Sequence, residues 1–130
     1  MRREVVQRAE NRCEYCLIHQ DDAASRHQVD HIISEKHGGE TTLSNLALSC
    51  LPCNRRKSSD IGSNDPSTGQ FTRLFNPREQ FWLDHFRLDG PRVIGITPAG
   101  RTTVAFLQIN APEHLLERLA LIRIGRYSPS

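Results

Sequence analysis

Asp30 and His31 stand side by side in "HQVDHIISEKHGG", and Asn54 follows in "LPCNRRK". These residue types suit hydrolysis of a phosphodiester. That reaction needs a water stripped of a proton, a phosphate relieved of charge and a leaving oxygen stabilised. A histidine, ordinarily half-protonated near neutrality, serves the first need. A hard cation held by a carboxylate and a carbonyl-type oxygen serves the other two. His31 is therefore the candidate general base, Asp30 the carboxylate ligand and Asn54 the amide ligand. His37, beside Gly38-Gly39, and His27 are accessory candidates. Arg55, Arg56 and Lys57 follow Asn54 directly and are candidates for phosphate contacts, which give non-specific, salt-sensitive affinity.

A second chemistry sits around the first. Cys13 and Cys16 form one CxxC pair, Cys50 and Cys53 another, and no cysteine is left over. Two thiolates separated by two residues hold two corners of a tetrahedron, and a second such turn completes a four-sulfur Zn²⁺ site. The long gap between the pairs implies a module folded between two knuckles. A closed four-sulfur site has no open position for substrate, so this zinc is expected to be structural.

The elements around these residues follow from patterning. Arg2 to Asn11 reads as a helix, with Val5, Val6 and Ala9 on one face. "HQVDHII" alternates as a strand. "SEKHGGETT" is a turn-rich connection. "LSNLALSC" reads as a second strand, and Pro52 suits the first turn of a helix carrying Asn54. Residues 61–75 read as a loop rich in Ser, Asp, Gly and Pro. Beyond it, "FNPREQFWLDHF" reads as a helix capped by Asn76. "FRLDGPRVIGIT" reads as a hairpin turning at Asp89-Gly90-Pro91. Two helices follow. The last has Leu115, Leu116, Leu119 and Ile122 at helical spacing, and Gly125 ends it.

The whole chain, residues 1–130, is expected to be one α+β domain. A core of about residues 1–60 carries the site, and residues 76–130 form an accessory extension. At 37% hydrophobic and 25% charged, the composition is that of a folded protein. The net charge of +2 does not by itself demand nucleic acid, although a local basic patch can still bind it. No run of about 18 apolar residues suggests a membrane span. The first sixteen residues lack the apolar centre of a secretory signal, so a reducing, cytoplasmic setting is expected, in which paired cysteines hold metal.

Taken in order, "RAENRCEYC", "VDHIISEKHGG" and "SNLALSCLPCNRRK" resemble the HNH endonucleases, the ββα-metal nucleases, in their four-cysteine zinc-binding branch. The resemblance covers residues 8 to 58 closely. The later "FNPREQFWLDHFRLDGPRVIGITPAGRTTVAFLQIN" resembles a tail found in one bacterial subgroup, so the resemblance runs nearly full length. It implies a ββα core with a structural zinc knuckle and one-metal hydrolysis of DNA, in practice double-stranded, using Mg²⁺ or Mn²⁺. His31 would be the base, Asp30 and Asn54 the catalytic-metal ligands, and Asn45 the residue that fixes the loop orienting His31. Two departures stand out. Ser34 replaces a common Pro, and Asn54 replaces a common His, which favours Mg²⁺ or Mn²⁺ over softer metals.

Two other readings compete. One is a zinc-stabilised nucleic-acid-binding module without catalysis. The other is a redox protein using its CxxC pairs. One site per chain cuts one strand per visit, so a double-strand break would need a dimer or rebinding. One tension is also visible: neighbouring residues of a regular strand point to opposite faces, so Asp30 and His31 should not meet one metal and its water unless the strand is distorted or the phosphate reaches around its edge.

Overall fold

The computed structural model describes residues 1–129. In chain order the elements are α1 (Arg2–Arg8), β1 (Gln28–His31), β2 (Leu46–Ser49), α2 (Leu51–Lys57), β3 (Gly62–Asn64), β4 (Phe71–Arg73), α3 (Trp82–His85), β5 (Phe86–Asp89), β6 (Arg92–Gly95), α4 (Pro98–Phe106) and α5 (Pro112–Arg123). Among the described residues the strands pair only as neighbours, giving three antiparallel hairpins among helices, an α+β architecture.

The first hairpin carries the chemistry. Its register runs from Gln28 opposite Ser49 to His31 opposite Leu46. Alternation then sorts its faces. Val29, Leu46 and Leu48 pack under Val5 and Val6 of α1 and Ala9 just beyond it. Ala47 and Asp30 lie on the opposite face, where Ala47 joins the larger core and Asp30 meets Lys57 of α2. The α1 helix stops at Arg8, three residues before the expected end, because Glu10 and Asn11 take left-handed φ values of 56° and 64°. Arg8 then reaches the hairpin, donating to the carbonyls of Leu43 (2.8 Å) and Leu46 (2.6 Å).

Residues 61–75 are not a plain loop. They hold the β3–β4 hairpin. The turn residues close it: the amide of Asp65 donates to Gln70 O at 2.8 Å, and its carboxylate accepts from Ser67 N at 2.9 Å. The expected long helix after Asn76 is also shorter. Asn76 Oδ1 accepts from Arg78 N at 2.9 Å, and Gln80 Oε1 accepts from Asn76 N at 2.8 Å. These local bonds make a turn, and only Trp82–His85 is helical.

The second half of the extension follows its patterning more closely. A hairpin, α4 and α5 appear where expected, and Gly125 leaves α5 with φ 75°. The face of α5 differs. Leu116 is 70% exposed, while Arg118 is buried and donates to Pro91 O, Ile109 O and Asn110 Oδ1. The helix docks through a satisfied guanidinium rather than through a continuous leucine stripe.

One apolar cluster runs through both halves, joining Cys13, Tyr15 and Ile32 to Phe75, Phe86 and Leu107. Polar links reinforce it. Trp82 Nε1 donates to Tyr15 O at 2.9 Å, and the Tyr127 hydroxyl donates to Cys16 O at 2.6 Å. Arg78 pairs with Glu14, whose other oxygen accepts from Leu48 N at 2.8 Å.

Candidate active site

The knuckles come together first. Cys13, Cys16, Cys50 and Cys53 are buried, and their sulfurs all lie within 4.8 Å of one another. Zn–S bonds of about 2.3 Å in a tetrahedron require sulfurs about 3.8 Å apart. Cys16 Sγ and Cys50 Sγ are 3.7 Å apart. Burial alone would push the Cys13 thiol up, but sulfur hydrogen bonds from the other three cysteines outweigh it and hold its pKa well below the ordinary thiol value, while hydrogen bonds with Cys13 and Cys16 push the Cys50 and Cys53 thiols up. The four residues therefore fit a structural Zn²⁺. All are unbridged, so the pairs are not disulfides. Zinc here would tie the start of the chain, through Cys13 and Cys16, to the β2–α2 corner at Cys50.

Asp30 lies beneath that corner. It is 7% exposed, and its Oδ2 meets Lys57 Nζ at 3.1 Å and the Tyr15 hydroxyl at 3.3 Å. Burial raises the carboxyl's pKa above the ordinary aspartate value, against the opposing pull of Lys57 and Tyr15. Tyr15 is pushed well up by burial and then by the Asp30 charge, so it stays a neutral donor. Among the described residues no hydrogen bond is made by Asp30 Oδ1 or by the half-buried Asn54 amide. One carboxylate oxygen and one amide oxygen are thus available, a donor set that suits Mg²⁺, which keeps most of its shell as water and phosphate.

His31 ends β1. Its Nε2 lies 2.8 Å from Thr41 Oγ1. The loop between is closed by Asn45. Its Oδ1 accepts from Ile33 N at 2.9 Å, while its Nδ2 donates to Ile33 O at 2.9 Å and to Glu40 O at 2.8 Å. Gly39 passes so close to this clamp that an added Cβ would sit 1.7 Å from Ile33 O. The pairing of β1 is regular through Asp30 and His31, with no bulge. The two side chains therefore do point to opposite faces, and a phosphate touching both must wrap the unpaired edge of β1.

The basic run does not form one surface. Arg55 is exposed. Arg56 turns toward the extension, donating to Leu107 O and Gln108 O and lying 3.1 Å from His114 Nε2. Lys57 is 2% exposed and also donates to His31 O at 3.0 Å. Helical spacing explains the split, since three consecutive residues cannot share a face. The accessory histidines separate as well. His27 is fully buried with Nε2 at 2.9 Å from Ile18 O, which makes it a core residue, whereas His37 is exposed.

Thr41 and Tyr15, both in contact with the site, escaped the sequence reading. A hydroxyl ten residues beyond its histidine leaves no periodic signal, and Tyr15 is hidden inside a CxxC whose cysteines explain the motif without it.

Among the described residues no helix is long and apolar enough to cross a membrane. No curated protein and no solved structure matches the chain. The family model for HNH endonuclease does match, over residues 13–60, from the first knuckle cysteine to just past α2. This segment is thus similar to the HNH endonucleases, which points to a nuclease or another nucleic-acid function.

Proposed function

We propose that the chain is a metal-dependent DNA endonuclease with His31 as general base. The observation that carries this reading is the His31 environment. The Asn45 clamp holds the loop on which Thr41 meets His31 Nε2. With Thr41 accepting from Nε2–H, Nδ1 keeps its lone pair for a water proton. Asp30 Oδ1 and Asn54 would hold Mg²⁺ or Mn²⁺ beside the scissile phosphate. When bound, the cation supplies charge neutralisation for the phosphate and the leaving oxygen. Lys57 and Tyr15 hold Asp30 Oδ2 so that Oδ1 stays fixed, and Lys57 also anchors the His31 carbonyl. The exposed Arg55 is the residue of the basic run free to contact DNA. The chain is read as one nuclease domain of residues 1–130, with the zinc holding its fold and a cytoplasmic setting keeping its thiols reduced.

The Lys57–Asp30 pair also favours a second reading. An ammonium at 3.1 Å already neutralises the carboxylate, as expected of a nucleic-acid-binding module that needs no catalytic cation. One experiment separates the two. Zinc-replete protein is incubated with supercoiled plasmid in Mg²⁺, in Mn²⁺ and without added divalent ion, beside His31→Ala. The endonuclease nicks only with the divalent ion, and His31→Ala loses about 10²–10⁴-fold of the rate while keeping its zinc and fold. DNA binding by both proteins with cleavage by neither would sink the catalytic reading and leave the binding module.

A further inference from the structure

A second charged feature lies away from Asp30 and Asn54. Arg2 and Arg3 of α1, with Arg26 from the segment before β1, line an open groove of about 560 Å³ together with Gln7, Asn11 and Gln20. Among the described residues none of these three guanidiniums has a carboxylate within ion-pair distance or donates a side-chain hydrogen bond. Burial, then the neighbouring Arg26 charge, pulls down the pKa of Arg2. Arg2 Nη2 is shut away from solvent with no acceptor, and Gln20 Oε1 is shut away with no donor. Three guanidiniums therefore line one groove with no carboxylate paired to any of them. Some arginines elsewhere are tied down, Arg8 to two carbonyls, Arg78 to Glu14, Arg101 to Asp65 and Arg126 to Asp22, whereas Arg55, Arg73, Arg87, Arg92 and Arg123 are also unpaired among the described residues but do not line this groove.

The groove also has a defined place. The α1 helix covers the hairpin face that carries Val29, Leu46 and Leu48. By strand alternation this is the face to which His31 points. Arg26 is five residues from His31, at most about 17 Å of chain. At about 3.4 Å per nucleotide along one strand, that is the reach of about five nucleotides. We propose that Arg2, Arg3 and Arg26 form a phosphate-binding groove that holds the backbone of a DNA duplex a few nucleotides from the scissile bond. This rests on the nuclease reading above and adds a site outside residues 28–57. Backbone contacts of this kind position a duplex without reading its sequence.

The test is binding, not cleavage. A fluorescent duplex of 20 base pairs is titrated by fluorescence anisotropy, without added divalent ion, between about 50 and 200 mM salt. Wild type is compared with Arg26→Gln and with the triple variant Arg2→Gln/Arg3→Gln/Arg26→Gln. Each lost phosphate contact lowers the salt slope by about 1, so the expected change is about 1 for the single variant and about 3 for the triple one. Affinity falls by the same factor for two duplexes of unrelated sequence. Because no partner is lost and repulsion is relieved, the Tm of both variants stays level or rises. Wild-type slope and affinity in the variants would overturn the groove, as would a fall in Tm of Arg26→Gln, which would show that its guanidinium has a structural partner. Failure of wild type to bind the duplex also overturns it. Plasmid nicking by the same wild-type preparation then tells whether the nuclease reading falls too.

Discussion

The hairpin of residues 28–49 and the hairpin of residues 62–73 each bury an aspartate against a basic side chain. Asp65 is 1% exposed and Asp30 7%. Asp65 receives Arg101 through both oxygens, at 2.8 and 3.2 Å, and Ser67 N as well. Its pKa is lowered, first by the Arg101 hydrogen bonds. Asp30 receives Lys57 and Tyr15 on one oxygen, and burial wins, so its pKa is raised. The planar fork of arginine satisfies a carboxylate completely, while the point charge of lysine leaves a lone pair free. A fully satisfied aspartate is architecture. A half-satisfied one, with one oxygen free, is the kind of group a site keeps available.

The largest expected effect separates these two roles. Asp30→Asn removes the anionic ligand, and cleavage per folded molecule falls by about 10²–10³-fold, the several kcal/mol that a bound metal contributes. It also strands a buried ammonium at Lys57, so Tm falls. Asp65→Asn breaks the Arg101 fork and lowers Tm too, but cleavage per folded molecule stays at the wild-type rate. Plasmid nicking normalised to the folded fraction from circular dichroism reads both. The contrast collapses if Asp65→Asn, still folded, loses cleavage as Asp30→Asn does.

The same contrast governs what the sequence revealed. The β1–β2–α2 unit was legible because its signals are joint: alternation in Val29 to His31, the Gly38-Gly39 turn, Pro52 in the first turn of α2 and four cysteines at knuckle spacing. The β3–β4 hairpin was not. Its strands are three residues each, and its turn composition reads as a loop unless Asp65 is known to meet Arg101, a partner 36 residues away. Arg118 is a similar case. A charge on a helix suggests solvent, and only the carbonyls of Pro91 and Ile109 turn it into a core residue. At the site, residue types revealed Asp30 and His31 but not the partners of Asp30. Lys57 looked like part of a phosphate-contacting run because nothing local shows which way a helical side chain points.

Acid resolves the two aspartates by sign. For Asp65 the folded pKa lies below the unfolded one, so its stabilisation is complete above the ordinary aspartate value and is lost as pH falls through the folded value. For Asp30 the folded pKa is raised, so its contribution is present below the ordinary value and is lost as pH rises through the folded value. The Tm gap between wild type and Asp65→Asn should therefore be constant from about pH 7 to pH 5 and begin to narrow below about pH 4. A Tm gap that has not narrowed at about pH 3 would deny the Arg101 fork its electrostatic role.

The smallest effect compares two glycines. Gly38, in the His31–Asn45 loop, has φ 86°, and Gly69, in the β3–β4 turn, has φ 74°; neither would bring a Cβ within 4 Å of another atom. Alanine at either therefore adds only left-handed strain, about 1–2 kcal/mol. That strain has different places to go. Around Gly69 it meets the Asp65–Gln70 turn, with Gly69 N donating to Asp65 O at 2.8 Å, a turn that carries none of the proposed reacting groups. Around Gly38 the next residue is pinned. Gly39 N donates to Ser34 O at 2.9 Å, and the Gly39 backbone leaves no room against Ile33 O and Asn45 Nδ2. The loop can then relax only by moving the segment that carries Thr41, the partner of His31. Both variants should lose similar stability, while only Gly38→Ala should slow nicking, by about tenfold for a misplacement costing about 1.4 kcal/mol. Equal rates in the two variants would mean that the loop does not position His31, and that the Asn45 clamp serves folding alone.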